Sequence, residues 1–168
     1  MTSIANSRGL EVRSEDISTE KTILLVEDSP DDQLLIRRAL TKHNLLNPVQ
    51  VVSDGQEALD YLFGAGSYAD RDASQVPTLI LLDLKLPKID GLEVLQRIRA
   101  DERTKLLRVV ILTSSKEEQD MLKSYSLGAS SCVRKPVEFT EFAEAIRKIG
   151  LYWLVLNESP PTPRDSDT

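Results

Sequence analysis

The stretch ILLVEDSPDDQ, residues 23–33, decides the fold class of this chain. Its first four residues, Ile23 to Val26, form a continuous apolar run that is too short for a buried helix and fits a strand covered on both faces. The next residues predict a helix start, because Ser29 suits the N-cap, Pro30 the first helical position and the following carboxylates the first turn. The stretch therefore predicts a buried strand that leads directly into a helix.

The same alternation of strand and helix continues along the chain. The runs 79–82 and 109–112 are equally apolar, and 49–52 and 131–133 are weaker strand candidates. Helical patterns follow these runs, at 30 to about 43, 55–63, after Asp90-Gly91, from the capping box Ser115–Glu118, and from about Glu138. Five such units in series predict a doubly wound α/β fold of the flavodoxin-like type, with a five-stranded parallel sheet and helices on both faces.

The two ends of the chain differ from this core in composition. Residues 1–20 are polar and aperiodic, which predicts a flexible N-terminal arm. Residues 157–168 contain three of the eight prolines and no apolar stretch, which predicts a disordered tail. We therefore expect one folded domain over residues 21–156.

The composition excludes several classes of function. The 21 basic and 27 acidic residues give a formal net charge of −6, whereas a protein that binds nucleic-acid backbones needs a basic face. The sequence has no apolar run of about 18 residues and no signal-peptide pattern, so we expect a cytoplasmic protein without a membrane segment. Cys132 and His43 are the only residues of their types, which argues against an internal disulfide and against a Cys- or His-based metal site.

Polar side chains follow four of the five predicted strands. Glu27 and Asp28 follow the first, Asp83 the third, Thr113 the fourth and Lys135 the fifth. The carboxyl ends of parallel strands meet at one edge of the sheet, which is where doubly wound proteins bind their ligands. Three acids, a hydroxyl and an ammonium group are therefore expected to converge there.

This combination indicates phosphoryl chemistry. Clustered carboxylates repel one another, and a donor set of oxygen atoms favours a hard cation such as Mg²⁺. With the metal on one side and Lys135 on the other, the site would suit an incoming phosphoryl group, and Asp83 would be the nucleophile that forms a carboxyl phosphate. Thr113 could donate a hydrogen bond to the phosphoryl oxygens.

Each of these residues also has an ordinary structural explanation. A single Asp after a strand is more often a helix cap or a loop acid, Thr113 with Ser114 could cap the next helix, and Lys135 could lie on the surface. The functional interpretation depends on their coincidence, because independent accidents would rarely put all five at strand ends on one edge.

Four motifs together resemble the receiver domain of two-component response regulators: ILLVEDSPDDQ, LILLDLKLPKIDGLEVL, VVILTSS and the ending from Gly128-Ala129 to Lys135-Pro136. The resemblance covers roughly residues 21–150. It implies a signalling switch that is not an enzyme in the ordinary sense, and that accepts a phosphoryl group from a histidine kinase in a reaction that needs Mg²⁺ or Mn²⁺.

The resemblance also implies roles for single residues. Asp83 is implied as the phosphoacceptor, Asp28 as a direct metal ligand, Glu27 as a ligand through water and the backbone carbonyl of Lys85 as a further ligand. The remaining implied positions are the phosphate-binding and switch residues Thr113, Ser114 and Lys135, and a cis peptide before Pro136.

A closer resemblance is to the small regulators paired with phytochrome histidine kinases of bacteria, especially cyanobacteria. DSPDDQLLIRRAL, DGQEALDYLFGAGSY, the long loop 64–77 and the extension EFAEAIRKIGLYWL carry it. One position departs from the family, because Cys132 stands where a switch aromatic is usual, three residues before Lys135. A thiol cannot swing as a bulky ring does, and a small buried apolar residue is the simplest interpretation of Cys132.

The last predicted helix suggests a homodimer. Its apolar stripe includes Trp153, but Tyr152 and Leu154 surround that stripe, and a helix end that is apolar all round must be buried by something. Packing by the chain's own ends is the simpler explanation. We expect instead a dimer through the fourth helix, fifth strand and fifth helix, with Tyr152, Trp153 and Leu154 at its surface.

Three other functions would also suit a fold of this class. A haloacid-dehalogenase-type phosphatase needs a second acid two positions after its nucleophile, where this chain has Lys85. A flavodoxin-like FMN binder needs a first loop that accepts phosphate, and the acidic segment 27–32 would repel it. An adaptor that keeps the receiver fold without being phosphorylated remains open, and only the intact site residues argue against it.

Overall fold

A five-stranded parallel sheet forms the centre of the protein, as seen in a computed structural model that describes residues 22–42, 45, 47–113, 118–135 and 139–150. The strand order is β2-β1-β3-β4-β5. The strands are β1 (Ile23–Val26), β2 (Val49–Val52), β3 (Leu79–Asp83), β4 (Val109–Thr113) and β5 (Ser131–Arg134). The order reverses beside β1, so the carboxyl ends of β1 and β3 lie at the switch point where such sheets bind their ligands.

In the part of the chain that the structure describes, five α-helices connect or follow the strands. They are α1 (Pro30–Lys42), α2 (Gly55–Phe63), α3 (Gly91–Ala100), α4 (Glu118–Ser126) and α5 (Phe139–Gly150). A short 3₁₀ helix, Gly66–Tyr68, lies in the connection between α2 and β3. The alternation of strand and helix confirms the fold class that the sequence predicts.

Helix ends follow from local capping chemistry. The backbone N–H of Asp32 donates to Ser29 Oγ over 3.3 Å, so Ser29 caps α1 as expected. Asp54 caps α2, where its carboxylate accepts from the Glu57 N–H at 2.7 Å. Gly64 ends the same helix at a φ of 65°, a left-handed conformation that glycine adopts without a steric penalty.

The core has two layers, one on each face of the sheet. Alternate strand residues such as Leu24, Ile80 and Ile111 pack with α2 and α3, whereas Leu25, Leu81 and Val110 pack with α1. Every residue of β1, β3 and β4 is buried, while three of the four residues of β2 and all four of β5 retain some exposure. The edge strands are therefore the ones whose apolar pattern is weak in the sequence.

Tyr125 of α4 is 50% exposed, although its spacing from Met121 and Leu122 in the sequence is typical of one apolar helix face. Its hydroxyl oxygen accepts the backbone N–H of Cys132 over 3.2 Å. A phenol with a polar partner on an edge strand gains less from full burial than an aliphatic side chain does, which explains its outward position.

Some predictions lie outside the described residues. These are the N-terminal arm 1–20, the tail 157–168, Ser114, the capping residue Ser115, Pro136 and the dimer residues Tyr152, Trp153 and Leu154. Among the helices that the structure describes, none has the length and apolar character needed to cross a membrane.

Candidate functional site

Three carboxylates meet at the carboxyl ends of β1 and β3. Val26 pairs with Leu82 in the parallel register, which sets Glu27 beside Asp83, and Asp28 follows on the loop. Glu27, Asp28 and Asp83 each offer an oxygen atom, and these atoms lie within 4.8 Å of one another. Glu27 is fully buried, Asp83 is nearly so, and Asp28 is exposed, so the group has one side open to solvent.

The first strand–helix junction holds Glu27 in place. Its backbone N–H donates to the Val52 carbonyl over 3.0 Å, and the side chain of Gln33 donates to its carbonyl over 2.6 Å. The Ser29 N–H donates to Glu27 Oε1 over 3.2 Å. The cap of α1 therefore also fixes the innermost acid of the site.

Lys135 brings positive charge to the carboxylates. It directly follows β5, and its backbone N–H donates to the Thr113 carbonyl over 2.8 Å. Its ammonium lies 2.6 Å from Glu27 Oε2, 2.9 Å from Asp32 Oδ2 and 3.5 Å from Asp83 Oδ2. Lys135 therefore lies among the acids, where its charge compensates for the burial of their carboxylates.

Burial and pairing shift the proton affinities of this cluster. Burial raises the pKa of Glu27 to about 7, although the hydrogen bond from Lys135 acts in the opposite direction. Burial by itself lowers the pKa of Lys135, but its hydrogen bonds to Glu27 and Asp32 outweigh that effect and raise it. Lys135 therefore stays charged at neutral pH.

The loop after β3 wraps closely around Asp83. The Lys85 N–H lies 3.4 Å from Asp83 Oδ1, so the backbone of Lys85 is next to the carboxylate. A Cβ on Gly91 would collide with the carbonyl oxygen of Asp83, and the Gly91 N–H donates to the Leu84 carbonyl over 2.9 Å. Glycine at position 91 is therefore required for α3 to begin this near the site.

The other predicted site residues divide into two groups. Thr113 is the last residue of β4, is 1% exposed, and lies beside Arg134 in the sheet register, one residue before Lys135. Ser114, Pro136 and the three dimer residues lie outside the described part of the chain. Their predicted roles, including the cis peptide before Pro136, stay predictions.

Sequence reasoning missed Asp32 as a member of the cluster. It treats Asp32 only as a carboxylate that suits the first turn of α1. Asp32 follows Asp28 by four residues and lies in the first turn of α1, which begins directly after the loop at the carboxyl end of β1 and so stays close to it. That position was the signal that could have identified it.

Cys132 is half-buried and packs against the core layer that includes α2 and α3. Burial raises the pKa of its thiol, which keeps it protonated at neutral pH. Its backbone N–H is bound by the ring hydroxyl of Tyr125, so an aromatic residue from α4 contacts the position where the sequence lacks one.

The charges and donor atoms of the site fit a hard divalent cation. Four carboxylates, of Glu27, Asp28, Asp32 and Asp83, face one ammonium, which leaves three formal negative charges when all are ionised. The donors are oxygen atoms, as Mg²⁺ and Mn²⁺ prefer. Asp83 lies at the meeting point of the metal-binding group and Lys135.

Comparisons with known proteins agree with this geometry. The family model described as the response regulator receiver domain matches residues 23–147. Response regulator Rcp1 of Synechocystis sp. is 36% identical over 141 residues, which cover 84% of this chain and 94% of Rcp1. A crystal structure of the Mn²⁺-bound form of Rcp1 has a TM-score of 0.77 at 35% identity, and covers 84% of this chain and 99% of that one.

Two further solved structures are similar. The phosphorylated cyanobacterial phytochrome response regulator RcpA has a TM-score of 0.77 at 38% identity, with 84% of this chain and 99% of that chain covered. The bacteriophytochrome response regulator RtBRR has a TM-score of 0.69 at 51% identity, with 84% and 85% covered.

Proposed function

Because this chain belongs to the response regulator receiver domain family, we propose that it accepts a phosphoryl group on Asp83 from a phosphohistidine of a histidine kinase. The observation that carries the proposal is the position of Asp83. Its carboxylate lies within 4.8 Å of the oxygens of Glu27 and Asp28 and 3.5 Å from the ammonium of Lys135. A carboxylate that attacks an anionic group needs positive charge on both sides.

The proposed reaction is a direct transfer. A carboxylate oxygen of Asp83 attacks the phosphorus, a P–O bond forms, and the P–N bond to the kinase histidine breaks, with the electron pair leaving on the imidazole nitrogen. Lys135 pairs with the phosphoryl oxygens, and the Thr113 hydroxyl, with Ser114 beside it, donates a hydrogen bond to them. Hydrolysis by water then releases phosphate and restores the carboxylate. In these two steps the protein catalyses only its own phosphorylation and dephosphorylation.

We propose Mg²⁺ as the resident cation, with Mn²⁺ as a substitute. Asp28, Asp83 and the backbone carbonyl of Lys85 would bind it directly, and Glu27 would bind it through water. When bound, the ion supplies positive charge that offsets the repulsion between the carboxylates and an incoming phosphoryl group. The oxygen-only donor set supports this assignment, as does the Mn²⁺-bound form of the relative Rcp1.

The partner that we propose is a phytochrome-type histidine kinase in the cytoplasm. The support is that RcpA is described as a cyanobacterial phytochrome response regulator and RtBRR as a bacteriophytochrome response regulator. Phosphorylation would bias α4 and its neighbouring loops between two packings, and the signal would pass through protein contacts. Co-purification of the chain with a kinase that has a phytochrome sensor module is the expected result.

We also propose a homodimer through α4, β5 and α5, with Tyr152, Trp153 and Leu154 at its surface. The support is the sequence, in which the segment 151–156 after α5 is almost entirely apolar and would be apolar all round if the helix continued through it, as the sequence predicts. Sedimentation should show that Tyr152→Glu with Leu154→Glu halves the mass. Leu106→Glu is the matched control, because Leu106 is 59% exposed in the loop before β4 and belongs to none of α4, β5 and α5. An unchanged mass in the double variant would contradict the dimer.

Phosphorylation is tested with acetyl phosphate and Mg²⁺. The wild type should gain one alkali-labile phosphoryl group, detected by intact-protein mass spectrometry. Asp83→Asn should gain none, whereas Asp90→Asn should behave as wild type, because Asp90 is an exposed cap of α3 and asparagine caps equally well. A wild type that stays unmodified at every Mg²⁺ concentration would favour the phosphorylation-independent adaptor.

A further inference from the structure

The ammonium of Lys135 has a partner outside the group proposed to bind metal. Two of its three carboxylates, Glu27 and Asp83, belong to that group, and Asp32 does not. Asp32 comes from the first turn of α1, and its carboxylate is 36% exposed, compared with 0% for Glu27 and 9% for Asp83. The ion pair at 2.9 Å therefore joins Lys135 to the solvent-facing rim of the site.

The position of Asp32 is fixed by its helix. Its N–H donates to the capping hydroxyl of Ser29, and the adjacent Gln33 donates to the Glu27 carbonyl, which holds the first turn against the end of β1. The positive end of the helix dipole stabilises a carboxylate here. Asp31, the preceding residue, shares this helix end, and its side chain is exposed.

The donor capacity of Lys135 is fully used by this arrangement. An ammonium has three N–H donors and no acceptor, and three carboxylates surround it. A phosphoryl group on Asp83 can take over the one donor that lies 3.5 Å from the Asp83 carboxylate, but a second contact between its oxygens and Lys135 requires Glu27 or Asp32 to be given up. Asp32 is the partner whose release costs least, because water can solvate its exposed carboxylate, whereas Glu27 would be left buried without a counter-charge.

We propose that Asp32 is a positioning residue that holds Lys135 in the unphosphorylated state and competes with the phosphoryl group for it. This inference rests on the proposed phosphorylation of Asp83. Phosphorylation then exchanges one ion pair for another, and it releases a negative charge at the start of α1. Asp32 opposes activation and limits how strongly the phosphoryl group is held.

The test uses beryllofluoride, a phosphoryl mimic, at saturating Mg²⁺, with the bound fraction measured by ¹⁹F NMR. Asp32→Asn should bind it about two- to fivefold more tightly than the wild type, the factor expected from loss of a competing, partly exposed ion pair. Asp31→Asn is the matched control, since it removes the same charge from the same helix turn, and its affinity should equal that of the wild type. In a Lys135→Gln background the effect of Asp32→Asn should vanish.

Two outcomes would overturn the inference. One is an Asp32→Asn affinity equal to that of Asp31→Asn, and the other is weaker binding, which a purely structural role of Asp32 would give. If Lys135→Gln does not fold, the comparison of the two aspartate variants decides alone. Failure of the wild type to bind beryllofluoride, or binding by Asp83→Asn, would instead contradict the proposed function.

Discussion

The central strands β1 and β3 and the edge strand β5 supply charged groups to the same site, but they are held differently. β1 and β3 each pair with two neighbours and are buried throughout. Among the described strands, β5 pairs only with β4, and all its residues are partly or fully exposed. The carboxylates therefore lie on the most tightly packed part of the sheet, whereas the ammonium of Lys135 arrives from its edge. This difference suggests that Lys135 is the part of the site that changes position, whereas the carboxylates of Glu27 and Asp83 stay in place.

The largest expected difference between the two regions is in stability. Leu81→Ala, in β3, should lower the free energy of unfolding by about 2–5 kcal/mol, because a fully packed core leaves a cavity. Val133→Ala, in β5 and packed against the same core layer, should cost about 1 kcal/mol because the side chain is only half-buried. Urea unfolding measures both. Equal losses would show that the edge strand is as tightly held as the centre.

The second prediction concerns the charge that joins the two regions. Lys135→Gln should lower the free energy of unfolding by about 3 kcal/mol without Mg²⁺, because it leaves the buried Glu27 without its counter-charge. Mg²⁺ should stabilise this variant more than the wild type, since the ion takes over the compensation.

The matched control for that experiment is Arg97→Gln. Arg97 pairs with Glu93 over 3.2 Å on the surface, with both side chains about half exposed, so its loss should change the stability by about 0.5 kcal/mol or less. Equal stabilisation of the wild type and Lys135→Gln by Mg²⁺ would contradict the idea that the ammonium and the metal share the same carboxylates.

A smaller effect is expected where α4 covers β5. Tyr125→Phe removes the acceptor for the Cys132 N–H, and because Tyr125 is half exposed, water should replace most of the lost bond. We expect a stability loss below about 1 kcal/mol. The Cys132 amide should exchange its hydrogen faster, measured by NMR. Unchanged exchange would show that Tyr125 does not secure the edge strand.

The smallest effect is a pH dependence at the same position. Burial raises the pKa of the Cys132 thiol, and hydrogen bonds from Tyr125 and Ser124 oppose part of that shift. A raised pKa means less thiolate at a given pH, so alkylation of Cys132 by iodoacetamide should be slow at pH 8. Its rate should keep rising with pH in the range where the rate for free cysteine has already reached a plateau. Tyr125→Phe should raise the pKa further and slow the reaction. A rate equal to that of free cysteine would contradict the burial of Cys132.

The difference between buried and edge strands also determines how much of the fold could be predicted from the sequence. The fully buried strands β1, β3 and β4 produce continuous apolar runs, and their bounds match the predicted ones to within one residue. The edge strands β2 and β5 are partly exposed, so polar residues interrupt their apolar runs and weaken the sequence pattern. Residues at strand ends, such as Glu27 and Asp83, could be predicted to converge because a parallel sheet aligns its carboxyl ends.

The contacts of long side chains could not be predicted in this way. The ion pair between Lys135 and Asp32 joins residues 103 positions apart, and several carboxylates lie within reach of that lysine. The outward position of Tyr125 depends on a backbone N–H that an edge strand leaves open to it. The ion pair and the exposure of Tyr125 both depend on three-dimensional packing, which the periodicity of the sequence does not predict.

The most direct test of the central claim is to locate the phosphoryl group. Protein treated with acetyl phosphate and Mg²⁺ is reduced with borohydride, which converts a carboxyl phosphate to an alcohol, and the digested peptides are sequenced by mass spectrometry. If Asp83 is the phosphoacceptor, homoserine will appear at position 83, and the aspartates at positions 28 and 32 will be unchanged. Reduction at Asp28 or Asp32 with an intact Asp83 would contradict this role of Asp83.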